Sequence, residues 1–303
     1  MISLCIPTFN RYNDLKKCLD SILDKFDNYR YEVIIADGGS TDQTLDYIKN
    51  LDHPNIKLIE QGKLTGITKA YNESFKIAEG DYIYIGNDDT ILFPKIFIKA
   101  CKLMEEEEQI GLIGPKDQET RHGNLPGVTL KLRQYWALLT KFHIFKASVL
   151  KKINYYDENL RSYYTDDDSC LSVLSSGYTI AFTKEVGMIH NRIPDSDINI
   201  ARATNEDKKN VQKELNYLKN KWRKLKENLE ENLKGSNIKK RKSLYCAHVC
   251  SKAYHSDIMQ KTIPKSIYDI LLDQSVIFKD NRYDGLKDFY LVQRYPEDVI
   301  KSL

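Results

Sequence analysis

The segment Ile2–Asp37 reads ISLCIPTFNRYNDLKKCLDSILDKFDNYRYEVIIAD, and it decides the fold. Ile2–Ile6 is a short apolar run that ends at Pro7, as expected for a buried strand. Tyr12–Leu23 then has apolar residues at helical spacing, and Tyr31–Ala36 is a second apolar run rich in β-branched residues. A strand, a helix and a second strand in this order indicate a parallel sheet covered by helices.

The alternation continues along the chain. Further helices are predicted at Gln43–Leu51, Ile67–Ala78, Phe93–Glu108 and Asp166–Ser176, and further strands at Ile56–Glu60, Tyr82–Ile85, Ile110–Ile113 and 178–191. Ligands bind at the carboxyl ends of the strands in sheets of this kind. Three polar sequences follow predicted strands, namely PTFNR at 7–11, DGGSTD at 37–42 and GNDD at 86–89. We therefore expect a binding site at this edge of the sheet.

The character of the sequence changes near residue 200. At ~150 residues per domain, the 303 residues predict two units, a catalytic domain over 1–200 and an α-helical region over 201–303. Glu206–Lys234 is a charged amphipathic helix, and the basic cluster Lys239–Lys242 follows it. Two interpretations of this region stay open. It packs on the first domain or forms a homodimer, or it is a basic surface that contacts an anionic membrane.

Composition excludes some classes of protein. The net charge of +3 gives no bulk attraction for nucleic acid, so we expect no nucleic-acid partner. The six cysteines form no CxxC pair, and several lie in apolar runs, which favours buried structural thiols in a reducing compartment. The sequence has neither a signal-peptide pattern nor an apolar run long enough to span a bilayer. These features predict a cytoplasmic protein, free or peripheral to the inner face of a membrane.

The acids of GNDD are the strongest chemical signal. Asp88 and Asp89 are adjacent at a strand end, where two carboxylates are costly unless a cation lies between them. A divalent metal ion that also binds a diphosphate meets this need, because hard cations prefer oxygen ligands. An exposed acidic turn is the alternative. His190 ends a later apolar strand and is either a structural histidine or a further metal ligand.

Two more acidic sequences are candidates. Asp37 ends the second strand, where it either accepts hydrogen bonds from a nucleotide or belongs to a turn that begins the next helix. Asp166, Asp167 and Asp168 precede a helix, and their alternatives are interaction with the helix dipole and a general base aimed into a cleft.

These segments together resemble the family 2 glycosyltransferases, which have the GT-A fold. The similar stretches, in the order of the family, are ISLCIPTFNR, YEVIIADGGSTDQT, GITKAYNESFKIAEGDYIYIGNDD, KINYYDENL and TDDDSCLSVLSSGY. The resemblance covers about residues 1–191. It implies a mostly parallel, Rossmann-like sheet flanked by helices, followed here by the C-terminal helical extension.

The resemblance also implies an activity and a site. A sugar passes with inversion from a nucleotide diphosphate donor, with UDP- and dTDP-sugars favoured, to a hydroxyl of a glycan or lipid-linked acceptor. The residues implied to bind the nucleotide sugar are Pro7, Thr8, Asn10, Arg11, Asp37, Gly38, Lys69, Asn87 and Asp88. Asp89 and His190 are implied to hold Mg²⁺ or Mn²⁺, and Asp166, or its neighbour Asp167, to act as the base.

Three departures from the family pattern support an alternative. Asn87 replaces the first acid of the metal motif, Thr165 replaces a glutamate before the catalytic aspartate, and Tyr71 replaces an arginine, with Lys69 nearby as a substitute cation. A binding or scaffold protein with impaired catalysis is therefore the second hypothesis. A dinucleotide-dependent dehydrogenase is disfavoured because PTFNR stands where GxGxxG is required. A nucleotidyltransferase is disfavoured because no basic glycine-rich loop follows the first strand.

Overall fold

The structure is a computed structural model that describes residues 1–118, 128–130, 138–140, 142–161, 163–190, 205–223 and 289–292. The helices in this part of the chain are α1 (Tyr12–Asp20), α2 (Thr44–Asn50), α3 (Ile67–Ile77), α4 (Pro94–Glu106), α5 (Ala147–Lys152), α6 (Thr165–Ser175) and α7 (Asn205–Lys221). The strands are β1 (Ile2–Thr8), β2 (Tyr31–Asp37), β3 (Ile56–Glu60), β4 (Tyr82–Ile85), β5 (Thr90–Leu92), β6 (Ile110–Asp117), β7 (Val128–Leu130), β8 (Leu138–Thr140), β9 (His143–Lys146), β10 (Thr179–His190) and β11 (Phe289–Val292).

One sheet of nine strands organises the described part of the chain. Its order is β11-β10-β6-β9-β4-β1-β2-β3, and β5 pairs with β10 beside this path. Strands β1, β2, β3 and β4 are parallel, β9 is antiparallel to β4 and β6, and β10 is parallel to β6. Most strands of the sheet therefore share one direction, and the predicted α/β class with a mostly parallel sheet is confirmed.

Strand β1 lies inside the sheet, between β4 and β2, and is buried because helices cover both faces of the sheet. Ile2, Leu4 and Ile6 belong to a core that also contains apolar side chains of α1 and α4. Helix α3 contacts β1 and β2, and its buried Phe75 lies outside that core. The register places Thr8 opposite Asp37, so the ends of β1 and β2 lie side by side. This edge is the one that sequence analysis expects to bind ligands.

Four cysteines are free and buried, at Cys5, Cys18, Cys101 and Cys170. Burial raises the pKa of Cys18 and of Cys101 to about 12, so these thiols stay protonated at neutral pH. The prediction of structural thiols is confirmed for these four. Cys246 and Cys250 lie outside the described residues.

The region beyond residue 200 differs in one respect from the sequence prediction. Helix α7 begins one residue before the predicted amphipathic helix Glu206–Lys234 and covers its first part. However, Phe289–Val292 is a strand that pairs antiparallel with β10, where helix was expected. Its sequence, FYLV, consists of residues that fit a pleated sheet surface. The basic cluster 239–242 lies outside the described residues, and the boundary near residue 200 stays a prediction. None of the described helices is long and apolar enough to cross a bilayer.

Candidate active site

The acidic turn 86–89 connects β4 to β5 at the carboxyl edge of the sheet. Strand β5 then turns back and pairs antiparallel with the end of β10, with Thr90 opposite His190. The pairing brings His190, a hundred residues away in sequence, next to Asp89. Thr90 also donates to the carbonyl of Asn87 at 2.6 Å, which closes the turn.

Arg11 is the centre of a group of charges, named here the acid cluster, that consists of Arg11, Asp14, Asp88 and Asp89. The Arg11 guanidinium lies 2.9 Å from Asp14, 3.4 Å from Asp88 and 3.1 Å from Asp89. All four side chains are almost fully buried, with exposed fractions between 8% and 13%. Thr8 donates to the second oxygen of Asp88 at 2.8 Å. Thr8 and Arg11 of PTFNR therefore contact the GNDD acids, and their contact with a nucleotide stays a prediction.

The two acids of the turn titrate differently. Burial, together with the charge of Asp89, raises the pKa of Asp88 to about 7, against the opposing effects of Arg11 and Thr8. Burial would also raise the pKa of Asp89, but His190 and Arg11 outweigh it and hold that pKa below its usual range. Asp89 is therefore the carboxylate that carries the charge.

Asp89 and His190 present two atoms suited to a metal ion. Asp89 Oδ1 and His190 Nε2 lie 3.2 Å apart, and Asp89 Oδ1 is buried and makes no contact of hydrogen-bond geometry. Two ligands at ~2.1 Å on adjacent positions of one ion lie about 3 Å apart. The separation of the two atoms fits two ligands of one divalent ion. No cluster of three or more histidine, cysteine or acidic side chains suited to a metal occurs among the described residues.

Tyr71 supports the same turn from α3. Its hydroxyl donates to the Gly86 carbonyl at 2.7 Å and lies 3.0 Å from Asn87 Oδ1. Burial, and after it nearby charges that include Asp166, raise the pKa of Tyr71 well above its usual value, so the hydroxyl remains a donor. Asn87 is thus held as an acceptor inside the turn.

The turn after β2 is closed by hydrogen bonds to Asp37. The Asp37 carboxylate is 1% exposed and accepts from the backbone N–H groups of Gly39 at 3.0 Å and Ser40 at 2.9 Å, and from the Ser40 hydroxyl. Gly39 has φ +89 and its Cα faces the Gly62 backbone so closely that a Cβ would lie 2.7 Å from it. Asn10 Oδ1 accepts from the Thr41 N–H at 2.7 Å, which joins this turn to PTFNR. Asp37 therefore shapes its own turn, and its contact with a nucleotide stays a prediction.

Three other predicted binding residues lie around this edge. Pro7 is half-buried and stands opposite Ala36 in the sheet. The Gly38 N–H donates to the Thr8 carbonyl at 2.9 Å, next to the acid cluster. Lys69 projects from α3 and is half exposed, and its ammonium group lies 4.0 Å from the Glu73 carboxylate. The structure therefore brings Gly38 close to the acids and leaves Lys69 outside their contacts.

The acidic triplet begins α6 and its members have different surroundings. Asp166 is half-buried and Asp167 is 5% exposed, and Asp166 Oδ1 accepts from the Asp167 N–H at 3.1 Å. The charge of Asp166 is one of the smaller causes, after burial, of the raised pKa of Tyr71, the residue that supports the GNDD turn. Asp168 accepts from Lys221 and from Trp222, each at 2.8 Å. Lys221 and Trp222, at the end of α7, therefore hold the Asp168 carboxylate.

Sequence reasoning missed Asp14 and Asn72, and it treated Tyr71 only as a departure from the family. Asp14 lies one helical turn after Arg11, a spacing at which an ion pair could have been predicted. Asn72 pairs with the backbone N–H and carbonyl of Tyr156, at 3.0 and 2.9 Å. That partner is 84 residues away, and local spacing carries no signal for it.

Comparison with known proteins identifies the family of the chain. The family described as Glycosyl transferase family 2 matches residues 3–161, which are more than half of the chain. The chain belongs to this family. A poly(ribitol-phosphate) beta-glucosyltransferase of Bacillus spizizenii is 35% identical over 167 residues, which make up 50% of this chain and 26% of that protein.

Two solved structures share the fold. S. aureus TarS 1–349 in complex with UDP-GlcNAc matches with a TM-score of 0.53 and 20% sequence identity, over 67% of this chain and 61% of that chain. A mannosyltransferase from Pyrobaculum calidifontis in complex with GDP-Man and Mn²⁺ matches with a TM-score of 0.53 and 17% identity, over 66% and 59%. The predicted GT-A fold is confirmed. The chain spans less than half of the length of the curated relatives it matches.

Proposed function

We propose that this chain transfers a sugar from a nucleotide diphosphate donor to a hydroxyl acceptor, with inversion and with a divalent metal ion. The observation that carries the proposal is the convergence of Arg11, Asp88, Asp89 and His190 at the carboxyl edge of the sheet. These residues come from three separate parts of the chain, since Asp88 and Asp89 are adjacent. A purely structural acidic turn would not require a histidine and a carboxylate oxygen to face each other in a buried position.

The donor is proposed to lie along the carboxyl ends of β1, β2 and β4. The hydrogen-bonded turns at 37–40 and 7–11 would hold the nucleoside of the donor. Asp37 would favour a uridine or thymidine base. The solved relatives bound to UDP-GlcNAc and to GDP-Man support a nucleotide-sugar donor. The diphosphate would lie at the acid cluster, where Arg11 supplies a positive charge.

A divalent ion would be held by Asp89 and His190, and when bound it stabilises the charge that develops on the departing diphosphate. Asp89 is suited to this role because its pKa is held low, so that it stays ionised. Asp88, Thr8 and Arg11 orient the turn that carries Asp89. Tyr71 keeps the backbone of the same turn in place.

Asp166 is proposed to take the proton from the acceptor hydroxyl as that oxygen attacks the anomeric carbon. It is half-buried, whereas Asp167 is buried and Asp168 is occupied by Lys221 and Trp222. The bond from the acceptor oxygen to the sugar forms as the bond to the diphosphate breaks. The acceptor is proposed to be a glycan or lipid-linked sugar.

Replacement of Asp166 tests the proposal. Asp166→Asn should lower donor turnover by about 10²–10⁴-fold, because the amide cannot take the proton. Binding of UDP, measured by titration calorimetry, should stay close to that of the wild type. Turnover is measured as nucleoside diphosphate release from a panel of UDP-, dTDP- and GDP-sugars with Mn²⁺. Wild-type turnover by Asp166→Asn would contradict the base assignment, and nucleotide binding by the wild type without turnover of any donor would favour the impaired binding protein.

A further inference from the structure

Helix α7 contacts the segment that carries the proposed base. Lys221 Nζ lies 2.8 Å from Asp157 Oδ2 and 2.8 Å from Asp168 Oδ2, so one ammonium group joins two carboxylates that are eleven residues apart. Trp222 Nε1 donates to the other oxygen of Asp168 at 2.8 Å. The Asp168 side chain is only 6% exposed. Both of its oxygens therefore have a partner from the end of α7.

Further contacts extend along the same segment. The Tyr217 hydroxyl donates to Asp157 at 2.8 Å, and Glu214 accepts from the Tyr163 backbone N–H at 2.7 Å. Leu218, next to Tyr217 on the helix, is 3% exposed. Three successive turns of α7 thus contact the segment 157–168.

This segment needs external support because its backbone is irregular. Tyr164, the residue before α6, has φ +61, in the left-handed region that a tyrosine rarely adopts. Helix α3 also holds this region, through the hydrogen bonds of Asn72 with Tyr156 and through a hydrogen bond from the Thr68 hydroxyl to the Leu160 carbonyl. Helix α3 also carries Tyr71, which supports the GNDD turn. The segment therefore lies between a helix that organises the donor side and a helix from the C-terminal region.

We propose that α7 is a positioning element for catalysis: Lys221 and Trp222 anchor Asp168 and Asp157, and thereby direct the neighbouring Asp166 into the cleft. Asp168 is then the anchor of the acidic triplet, and Lys221 is a positioning residue that acts through Asp168. This inference rests on the proposed function, since Asp166 is its base. A misplacement of the base by about 1 Å costs on the order of 10²-fold in rate, so the anchor affects turnover more than donor binding.

Substitutions of Lys221 in the full chain test the proposal. Lys221→Met should lower kcat by about 10–100-fold and leave the Kd of UDP close to the wild-type value. Lys221→Arg should restore most of kcat, because a guanidinium group can also contact two carboxylates. Lys213→Met is the matched control on an exposed position of the same helix and should behave as the wild type. Unchanged kcat in Lys221→Met, or parallel losses of kcat and UDP affinity, would overturn the proposal.

Hydrogen exchange supplies a readout that needs no substrate. Backbone amides of 163–169 should exchange about tenfold faster in Lys221→Met than in Lys213→Met. The reason is that the contacts of Lys221 with Asp157 and Asp168, which oppose local opening of this segment, are lost. Wild-type exchange rates in Lys221→Met would overturn the proposal even if no donor has been found. Failure of the proposed function is recognised separately, as absence of turnover by the wild type. If Lys221→Met does not fold, Trp222→Phe removes only the indole N–H from Asp168, and the same results are expected in smaller measure.

Discussion

Arg11 contacts three carboxylates with one guanidinium group, at 2.9 Å from Asp14, 3.4 Å from Asp88 and 3.1 Å from Asp89. Its ε nitrogen is buried and makes no hydrogen bond of good geometry, so the group is shared among partners and is not matched to a single one. Burial would lower the pKa of Arg11, but the charges of Asp88 and Asp89 outweigh it and raise the pKa. The cluster therefore depends on a positive charge at its centre.

Removal of that charge should destabilise the protein. Arg11→Gln leaves three carboxylates close together, and loss of one partner of a buried ion pair costs about 3–5 kcal/mol. We expect a decrease in the free energy of unfolding toward the lower end of that range, measured by urea denaturation. Added Mn²⁺ should raise the Tm of Arg11→Gln more than that of the wild type, since the ion relieves the repulsion. An equal Mn²⁺ effect on both proteins would show that the ion does not bind at these acids.

Asp89 is the residue on which the proposed metal site depends. Asp89→Asn should weaken Mn²⁺ binding at least about tenfold, measured by titration calorimetry in the presence of UDP. Donor turnover should fall by about 10²–10³-fold, because charge on the leaving group loses its stabilisation. Asp52→Asn is the control, since Asp52 is exposed in the loop before β3. Unchanged Mn²⁺ affinity in Asp89→Asn would exclude this carboxylate as a ligand.

At the scale of secondary-structure elements, the contact of α7 with Asp157 has a pH signature. Hydrogen bonds from Lys221, Tyr217 and Asn159 outweigh burial and lower the pKa of Asp157 from 3.8 to about 2. Because the folded pKa is below the unfolded one, the stabilisation is complete above about pH 4 and is lost as the pH falls toward 2.

Asp157→Asn should therefore be less stable than the wild type at pH 6 by about 1 kcal/mol, a value reduced for the partial exposure of the carboxyl. The difference in free energy of unfolding between the two proteins should shrink between pH 4 and pH 2. Urea titrations at a series of pH values measure it. A difference that is independent of pH would mean that Asp157 carries no titrating interaction with α7.

Elements with strong local patterns could be predicted from the sequence, and elements defined by distant partners could not. Strand β3 agrees in both bounds with the predicted Ile56–Glu60, and α3 differs by one residue from Ile67–Ala78. Strand β5 was missed because three residues carry no periodicity, and it forms only by pairing with β10. Strand β9 runs antiparallel between β4 and β6, a position that only the tertiary fold specifies.

The candidate site follows the same division. Thr8, Asp88 and Asp89 lie at strand ends, where the parallel sheet predicts ligand contacts, and the structure brings them together. His190 lies next to Asp89 because β5 pairs with β10. Since β5 was not predicted, the role of His190 as a metal ligand was only one of two interpretations from the sequence. The different roles of Asp166 and Asp168 could not be predicted, because three consecutive acids look alike in sequence. Only the contacts of Asp168 with Lys221 and Trp222 distinguish them.

At the scale of the whole molecule, nucleotide binding should stabilise the fold. A ligand at a concentration of about 100 times its Kd adds about 2.7 kcal/mol, which raises Tm by about 4 °C for a chain of 303 residues. UDP or dTDP with Mn²⁺ should give a larger thermal shift than GDP at the same concentration. A larger shift with GDP would contradict the base preference, and no shift with any of the three would contradict nucleotide binding.

The contact between α7 and Asp168 also has a consequence for the order of events during synthesis. Chains emerge from the ribosome amino terminus first, and early segments begin to fold before later ones are made. The strands and turns that form the proposed donor site precede residue 191, whereas Lys221 and Trp222 come later. On our inference, a nascent chain can assemble its nucleotide pocket while its base is still undirected, and catalytic competence arrives only when the translated chain has passed Trp222.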